Sequence, residues 1–309
     1  MIQVQGLSHH FGPLQVLKDV WFDVPQGSVF GFIGPNGAGK TTALRVMATL
    51  LEPAYGRVLI DGYDVVEKPT EVRRLMGFMP DGFGVYERVT VHEYLEFFAA
   101  SFGIDLGGRA KAIGAVEELT ELGGLRDRLV SSLSKGMKQR LAIARTLLHD
   151  PKVMILDEPA NGLDPRARIE MRDLILHLQA LGKTVLLSSH ILTELGDMVS
   201  DVAILEKGTL KAAGSMEEMV RRLQGQRRVH LQFMEPVEAP PAPLRAVPGV
   251  LEVEREAQRT LAATFEGGDE VVAALVRASV EAGLSVVRVE PERDDLEQVF
   301  LQATQGELQ

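Results

Sequence analysis

The chain has 309 residues, a formal net charge of −10 and 45% hydrophobic residues, room for a domain of a little over 200 residues and a smaller one. The absence of cysteine excludes disulfides, thiolate metal sites and cysteine nucleophiles. The acidic balance argues against duplex nucleic acid as the main partner, and no apolar run approaches the roughly 18 residues that span a bilayer.

The opening, MIQVQGLSHH, has neither a basic n-region nor an apolar h-region, so a cytoplasmic protein, attached to a membrane only through a partner, is expected. Residues 2 to 30 read as short strands separated by turns at Gly12-Pro13 and Pro25-Gln26-Gly27, an antiparallel lead-in sheet. Phe11 stands between two histidines and a glycine, where its ring either stacks on a purine or packs in the core. Trp21, in an alternating strand, reads as packing.

The run SVFGFI then breaks into Gly34-Pro35-Asn36-Gly37-Ala38-Gly39-Lys40-Thr41-Thr42, which fits G-x-x-x-x-G-K-[ST] between a strand and a helix from about Lys40 to Leu51. The glycines permit backbone angles that turn successive N–H groups around a phosphate at a helix N-terminus. Lys40 adds a point charge near the β and γ phosphates, and Thr41 offers a hydroxyl to Mg²⁺. Next, GRVLIDGYDV reads as a hairpin and VRRLMGFMP as a strand ending at Pro80-Asp81-Gly82, a polar turn beside the nucleotide if the sheet is parallel and doubly wound.

From about 88 to 150 apolar residues recur at helical spacing, a helical insertion with Tyr94, Phe97 and Phe98 read as core. The buried-strand pattern KVMILDEP runs into two carboxylates. Asp157 is suited to holding the waters of Mg²⁺ and Glu158 to orienting and deprotonating an attacking water, the alternative being a solvated acidic turn. A further strand, KTVLLSSH, ends in His190, suited to donating to a γ-phosphate. From 226 to 309 follow the strand RRVHLQF, a proline-rich loop without regular structure, short strands near 250–253 and 260–265, a helix from about Asp269 to Ala282, the strand SVVRVE and a last helix begun by Asp294 and Glu297. This small α+β domain carries no visible catalytic chemistry and reads as packing, interaction or dimerisation.

Between the phosphate loop and the carboxylate strand stands LSKGMKQRLAIARTLL, beginning at Leu133. It resembles the signature of ATP-binding cassette proteins, the ATPase subunits of ABC transporters. The phosphate loop, signature, ILDEP strand, NGLDP turn and SSH strand stand in that family's order over roughly residues 1 to 220. The C-terminal piece resembles the appended domain of single-cassette subunits that pair with ABC-2-type export permeases. The resemblance implies an α/β fold: a P-loop NTPase core with a mostly parallel sheet, an N-terminal antiparallel β subdomain, a helical signature subdomain and a small C-terminal α+β domain. It also implies Mg-ATP hydrolysis by a head-to-tail dimer, each ATP held between one phosphate loop and the other chain's signature.

By the same resemblance Ser134 and Gly136 contact the γ-phosphate in trans, Asp164 lies in the loop coupling the two sites, Glu158 matches the catalytic base, His190 the switch histidine and Phe11 the adenine-stacking aromatic. Lys135 and Met137 depart from the commonest signature, which has Gly and Gln there. Asp81 stands where the family usually has a glutamine that reaches Mg²⁺ and senses the permease. A carboxylate about 5 Å from a phosphate charge is repelled by about 3 kcal/mol at an effective dielectric near 20. Asp81 therefore either contacts the metal directly or withdraws until the dimer closes. A transporter ATPase is the leading expectation. A soluble cassette ATPase in translation, DNA repair or assembly is the alternative, disfavoured by one module and no extended heptads. Glu158 and His190 argue against a regulatory subunit that binds ATP without turnover.

Overall fold

The computed structural model describes residues 1–82, 84–191, 195, 198–216 and 227–291. They fall into two compact units that divide at about residue 217.

The first unit begins with an antiparallel sheet in the order β2-β1-β4-β5, made by β1 (Ile2–Phe11), β2 (Leu14–Val24), β4 (Tyr55–Ile60) and β5 (Tyr63–Asp64). Its lead-in pair and hairpin are those expected. Alternation in β2 sends Val20, Phe22 and Val24 inward, and Trp21 consequently faces out, 57% exposed, its indole N–H donating to Asp19 Oδ1 at 2.7 Å. The packing role read for Trp21 is therefore corrected to an exposed one.

A second, six-stranded sheet has the order β10-β9-β3-β8-β7-β6, from β3 (Val29–Ile33), β6 (Met76–Met79), β7 (Val153–Leu156), β8 (Thr184–Ser189), β9 (Asp201–Glu206) and β10 (Thr209–Ser215). All neighbours are parallel except the edge pair β9 and β10. Strands covered on both faces need unbroken apolar runs, and every residue of β3, β7 and β8 is buried. Helix α1 (Lys40–Met47) contributes Ala43, Leu44, Val46 and Met47 to one core with Phe22, Phe30, Phe32, Val58 and Leu186. It ends before the expected Leu51, because Thr49 takes a left-handed φ of 60°.

The stretch read as one strand from Val72 is mostly helix: α2 spans Pro69–Leu75, and the strand keeps only Met76–Met79. Pro69 in the first turn, Glu71 near the N-terminus and Arg73 and Arg74 in the last turn all favour a helix there. The helical insertion comprises α3 (Val91–Ser101), capped by a reciprocal Thr90–Glu93 pair, α4 (Leu106–Leu119), capped by Asp105, and α5 (Lys135–Leu147), capped by Ser134. Tyr94 is buried as expected. Phe97 is not, being 53% exposed with its ring edge-on to Tyr86, because it lies off the buried stripe of Val91, Tyr94, Leu95 and Ala99. Helix α6 (Pro165–Ala180) follows the carboxylate strand and is capped by Asp164, whose Oδ1 accepts from Ala167 N–H at 2.9 Å.

The second unit is an antiparallel sheet in the order β12-β13-β11-β14, from β11 (Arg227–Phe233), β12 (Val250–Ala257), β13 (Thr260–Phe265) and β14 (Val286–Pro291). Val271, Leu275 and Ala278 of α8 (Asp269–Glu281) join Val229, Leu231, Phe233, Leu261 and Phe265 in a separate core. The proline-rich loop is not wholly irregular: α7 (Ala242–Arg245) makes one turn that buries Leu244. The helix expected from Asp294 and Glu297 lies outside the described residues.

Candidate functional site

The parallel order β6-β7-β8-β3 brings four carboxyl-terminal strand ends side by side, the usual ligand edge of such a sheet. Past these ends stand, in turn, Asp81, the Asp157–Glu158 pair, His190 and the loop from Gly34. They meet at a cleft of about 630 Å³ lined by Pro35, Asn36, Gly37, Gly39, Lys40, Thr41, Thr42, Asp81, Glu158 and His190, together with Val16 and Asn161. Gly34 and Ala38 are buried behind the loop, and Gly34 has no space for a Cβ against the Leu205 carbonyl. Gly37 and Gly39 have φ of 81° and 108°, angles that glycine adopts without penalty.

Lys40 is 6% exposed, and its ammonium donates to the carbonyls of Gly34 at 2.5 Å and Pro35 at 3.3 Å. It also pairs with Glu158 Oε1 at 3.3 Å. The other carboxylate oxygen, Oε2, is 2.8 Å from His190 Nδ1. Glu158 thus sits between two groups that can donate to it, on a backbone with φ 51°, the left-handed region that costs a side-chain-bearing residue about 1 kcal/mol or more.

Asp157 lies beneath, 1% exposed. Burial raises its pKa above the ordinary carboxylate value, opposed by the hydrogen bond from Ser188. Ser188 ties the pair together: its hydroxyl donates to Asp157 Oδ1 at 2.6 Å and accepts the Glu158 backbone N–H at 2.9 Å. Asp157 Oδ2 is buried without a hydrogen-bond partner. A buried acceptor left open is costly unless something positive or hydrogen-donating meets it, so the site fits a hard, oxygen-seeking cation. Among the described residues no group of three or more His, Asp or Glu side chains makes a self-sufficient metal site, so such a cation would share its coordination with phosphate oxygens and water.

Sequence reasoning missed three residues here. Ser188 reads as an ordinary strand residue. Asn161 lines the cleft and directs its amide to Asp81 Oδ1 at 3.5 Å. Val16 comes from the antiparallel sheet, and no local motif marks it. Conversely, Phe11, Ser134 and Gly136 do not line this cleft. Phe11 is half exposed and stands edge-on to the His9 ring, with centroids 4.7 Å apart, so the core alternative for it is removed. Ser134 caps α5, accepting from Met137 N–H at 3.3 Å.

The glycine loop at the carboxyl ends of these parallel strands, with Lys40 behind it and Glu158 and His190 across the cleft, has the architecture of a phosphate-loop NTPase core. The ABC transporter family matches residues 17–161. The ABC transporter ATP-binding protein NatA of Bacillus subtilis is 38% identical over 210 residues, covering 67% of this chain and 84% of its own. The daunorubicin resistance ATP-binding protein DrrA3 of Streptomyces coeruleorubidus is 34% identical over 307 residues, covering 98% of this chain and 95% of its own. A solved ATP-binding subunit of an ABC transporter superimposes with a TM-score of 0.65 at 32% identity, covering 72% of this chain and 92% of that one. The chain belongs to the ATP-binding proteins of ABC transporters, and its enzymatic activity is ATP hydrolysis.

Proposed function

We propose that this cleft binds Mg-ATP as one half of a composite site, that two copies close head-to-tail on two nucleotides, and that closure and reopening drive a membrane permease in an export cycle. The observation that carries the reading is the meeting of the phosphate loop, Lys40, Glu158 and His190 around one cleft. Phosphate oxygens take the loop N–H groups and draw the Lys40 ammonium away from Glu158. Glu158, still held by His190, accepts a proton from the attacking water, and once Lys40 has moved, His190 keeps its carboxylate in place. Thr41, Asp157 and Asp81 are the residues that would hold Mg²⁺, which neutralises charge developing on the phosphoryl oxygens.

Ser134 and Gly136 stand outside their own cleft, as contacts made in trans require. Phe11 offers an exposed ring for adenine. Among the described residues no helix is long and apolar enough to cross a membrane, which is consistent with a cytoplasmic subunit held at the inner membrane face by its permease. DrrA3 and the linearmycin resistance protein LnrL of Bacillus subtilis, 27% identical over 98% of both chains, are named for resistance, which favours export.

The test is the dependence of Mg-ATP hydrolysis on protein concentration. Turnover per chain rises with concentration if two chains complete each site, whereas turnover constant from nanomolar to micromolar refutes the composite site. Co-purification from the native cell with a multi-span permease tests the partner, and recovery with ribosomes or DNA would favour the soluble alternative.

A further inference from the structure

The turn between β9 and β10 lies outside the set of residues that line the cleft, yet it touches the phosphate loop directly. Gly208 donates its backbone N–H to the Ala38 carbonyl at 2.9 Å, and its own carbonyl accepts Lys18 N–H of β2 at 2.8 Å. One residue therefore bonds the phosphate loop on one side and β2 on the other. A Cβ at Gly208 would collide with the Val16 carbonyl, and one at Gly39 would lie 2.9 Å from that same oxygen. Three backbones meet here with no room for a side chain between them.

The bond to Ala38 has a geometric consequence. In a planar trans peptide the carbonyl and the following N–H point in opposite directions. With the Ala38 carbonyl fixed on the Gly208 side, the Gly39 N–H is directed away from the turn, and Gly39 lines the cleft. We infer that Gly208 is a positioning residue for phosphate binding: its N–H locks the Ala38–Gly39 peptide plane so that Gly39 N–H faces the phosphoryl oxygens. This rests on the nucleotide reading of the cleft and adds to it an element more than 160 residues away in sequence.

The fold supplies an internal control. The β4–β5 turn has the same conformation, with φ of 50° at Asp61 and 81° at Gly62, against 47° at Lys207 and 80° at Gly208. A Cβ at Gly62 meets nothing within 4 Å. Gly62→Ala and Gly208→Ala therefore carry the same backbone strain, and only the second pushes the turn off the phosphate loop.

The experiment measures calorimetric binding of Mg-ATP and of magnesium tripolyphosphate, a phosphate chain without a base, to the full-length chain and both variants. Gly208→Ala is expected to weaken both ligands by about tenfold or more, the scale of one hydrogen bond to a charged group, while Gly62→Ala stays within twofold of wild type. A folded Gly208→Ala that binds both ligands within twofold of wild type overturns the inference. Wild-type chain that binds neither ligand would instead overturn the nucleotide reading itself.

Should Gly208→Ala not fold, wild-type chain labelled with ¹⁵N-glycine gives the answer. On titration with magnesium tripolyphosphate the Gly208 amide resonance is expected to move with the same dissociation constant as that of Gly39, while Gly62 stays fixed, because hydrogen bonds in series polarise one another. A stationary Gly208 beside a moving Gly39 overturns the proposal.

Discussion

Glu158→Gln removes one charge from the cleft while keeping the side chain's shape and an oxygen for His190. In the structure the lost charge has two effects. As a proton acceptor Glu158 is expected to contribute about 10²- to 10⁴-fold to the rate, so turnover should fall by that factor. As a partner of Lys40 at 3.3 Å it competes with the nucleotide for the ammonium. The gross attraction is about 5 kcal/mol at an effective dielectric near 20, most of it offset by the desolvation of both groups. Freed from this pair, Lys40 should bind phosphate as well as in wild type or better, so Mg-ATP affinity is retained or tightened by up to about tenfold. Phosphate release under single-turnover conditions gives the rate, calorimetry gives the affinity, and sedimentation with Mg-ATP should reveal an accumulated dimer. Turnover within threefold of wild type would remove Glu158 as the base. Tenfold weaker binding would show that the Lys40–Glu158 pair supports the site rather than competing with its ligand.

Asp157→Asn keeps the oxygen that Ser188 bonds and removes a buried charge, so the variant should need at least tenfold more Mg²⁺ for ATP binding yet melt at a higher temperature than wild type in EDTA; a lower melting temperature would contradict the cost assigned to the open Oδ2. Phe11→Ala should weaken Mg-ATP about tenfold or more, the scale of base–aromatic stacking, and leave tripolyphosphate binding unchanged. Burial lowers the pKa of His149, so as pH falls through about 6.5 the unfolded chain takes up a proton at this group before the fold does. Its contribution is therefore present above that value and lost as pH falls through it, with a slope less than the single-proton limit of about 1.4 kcal/mol per pH unit because the ring is partly solvated. Denaturant titrations at pH 7.5, 6.5 and 5.5 should show this loss, reduced in His149→Gln; an equal slope in the variant would assign the dependence elsewhere.

What the sequence made legible was whatever is decided locally. The phosphate loop declared itself because crowding at Gly34, positive φ at Gly37 and both together at Gly39 leave few other residues possible. The Asp157–Glu158 pair did so because an apolar strand that stops at two acids delivers both carboxylates to the ligand edge of a parallel sheet. Helix α2 was misread although its cues were present, since Val72 and Leu75 continued into the apolar strand Met76–Met79 and hid the boundary. Trp21 was misread because alternation fixes which residues share a face and not which face is covered. Ser188, Asn161 and Gly208 were invisible for another reason. Their roles exist only through partners distant in the chain, such as Asp157, Asp81 and Ala38.

The left-handed backbone at Glu158 also bears on how the protein would drift under selection. Glycine would sit at φ 51° without penalty, so replacing the glutamate there should relieve strain while removing the proton acceptor proposed for the cleft. A library of variants screened only for thermal endurance should enrich losses at position 158, and one screened for turnover should purge them. Opposite enrichment at a single position would mark the place where this fold trades durability for work.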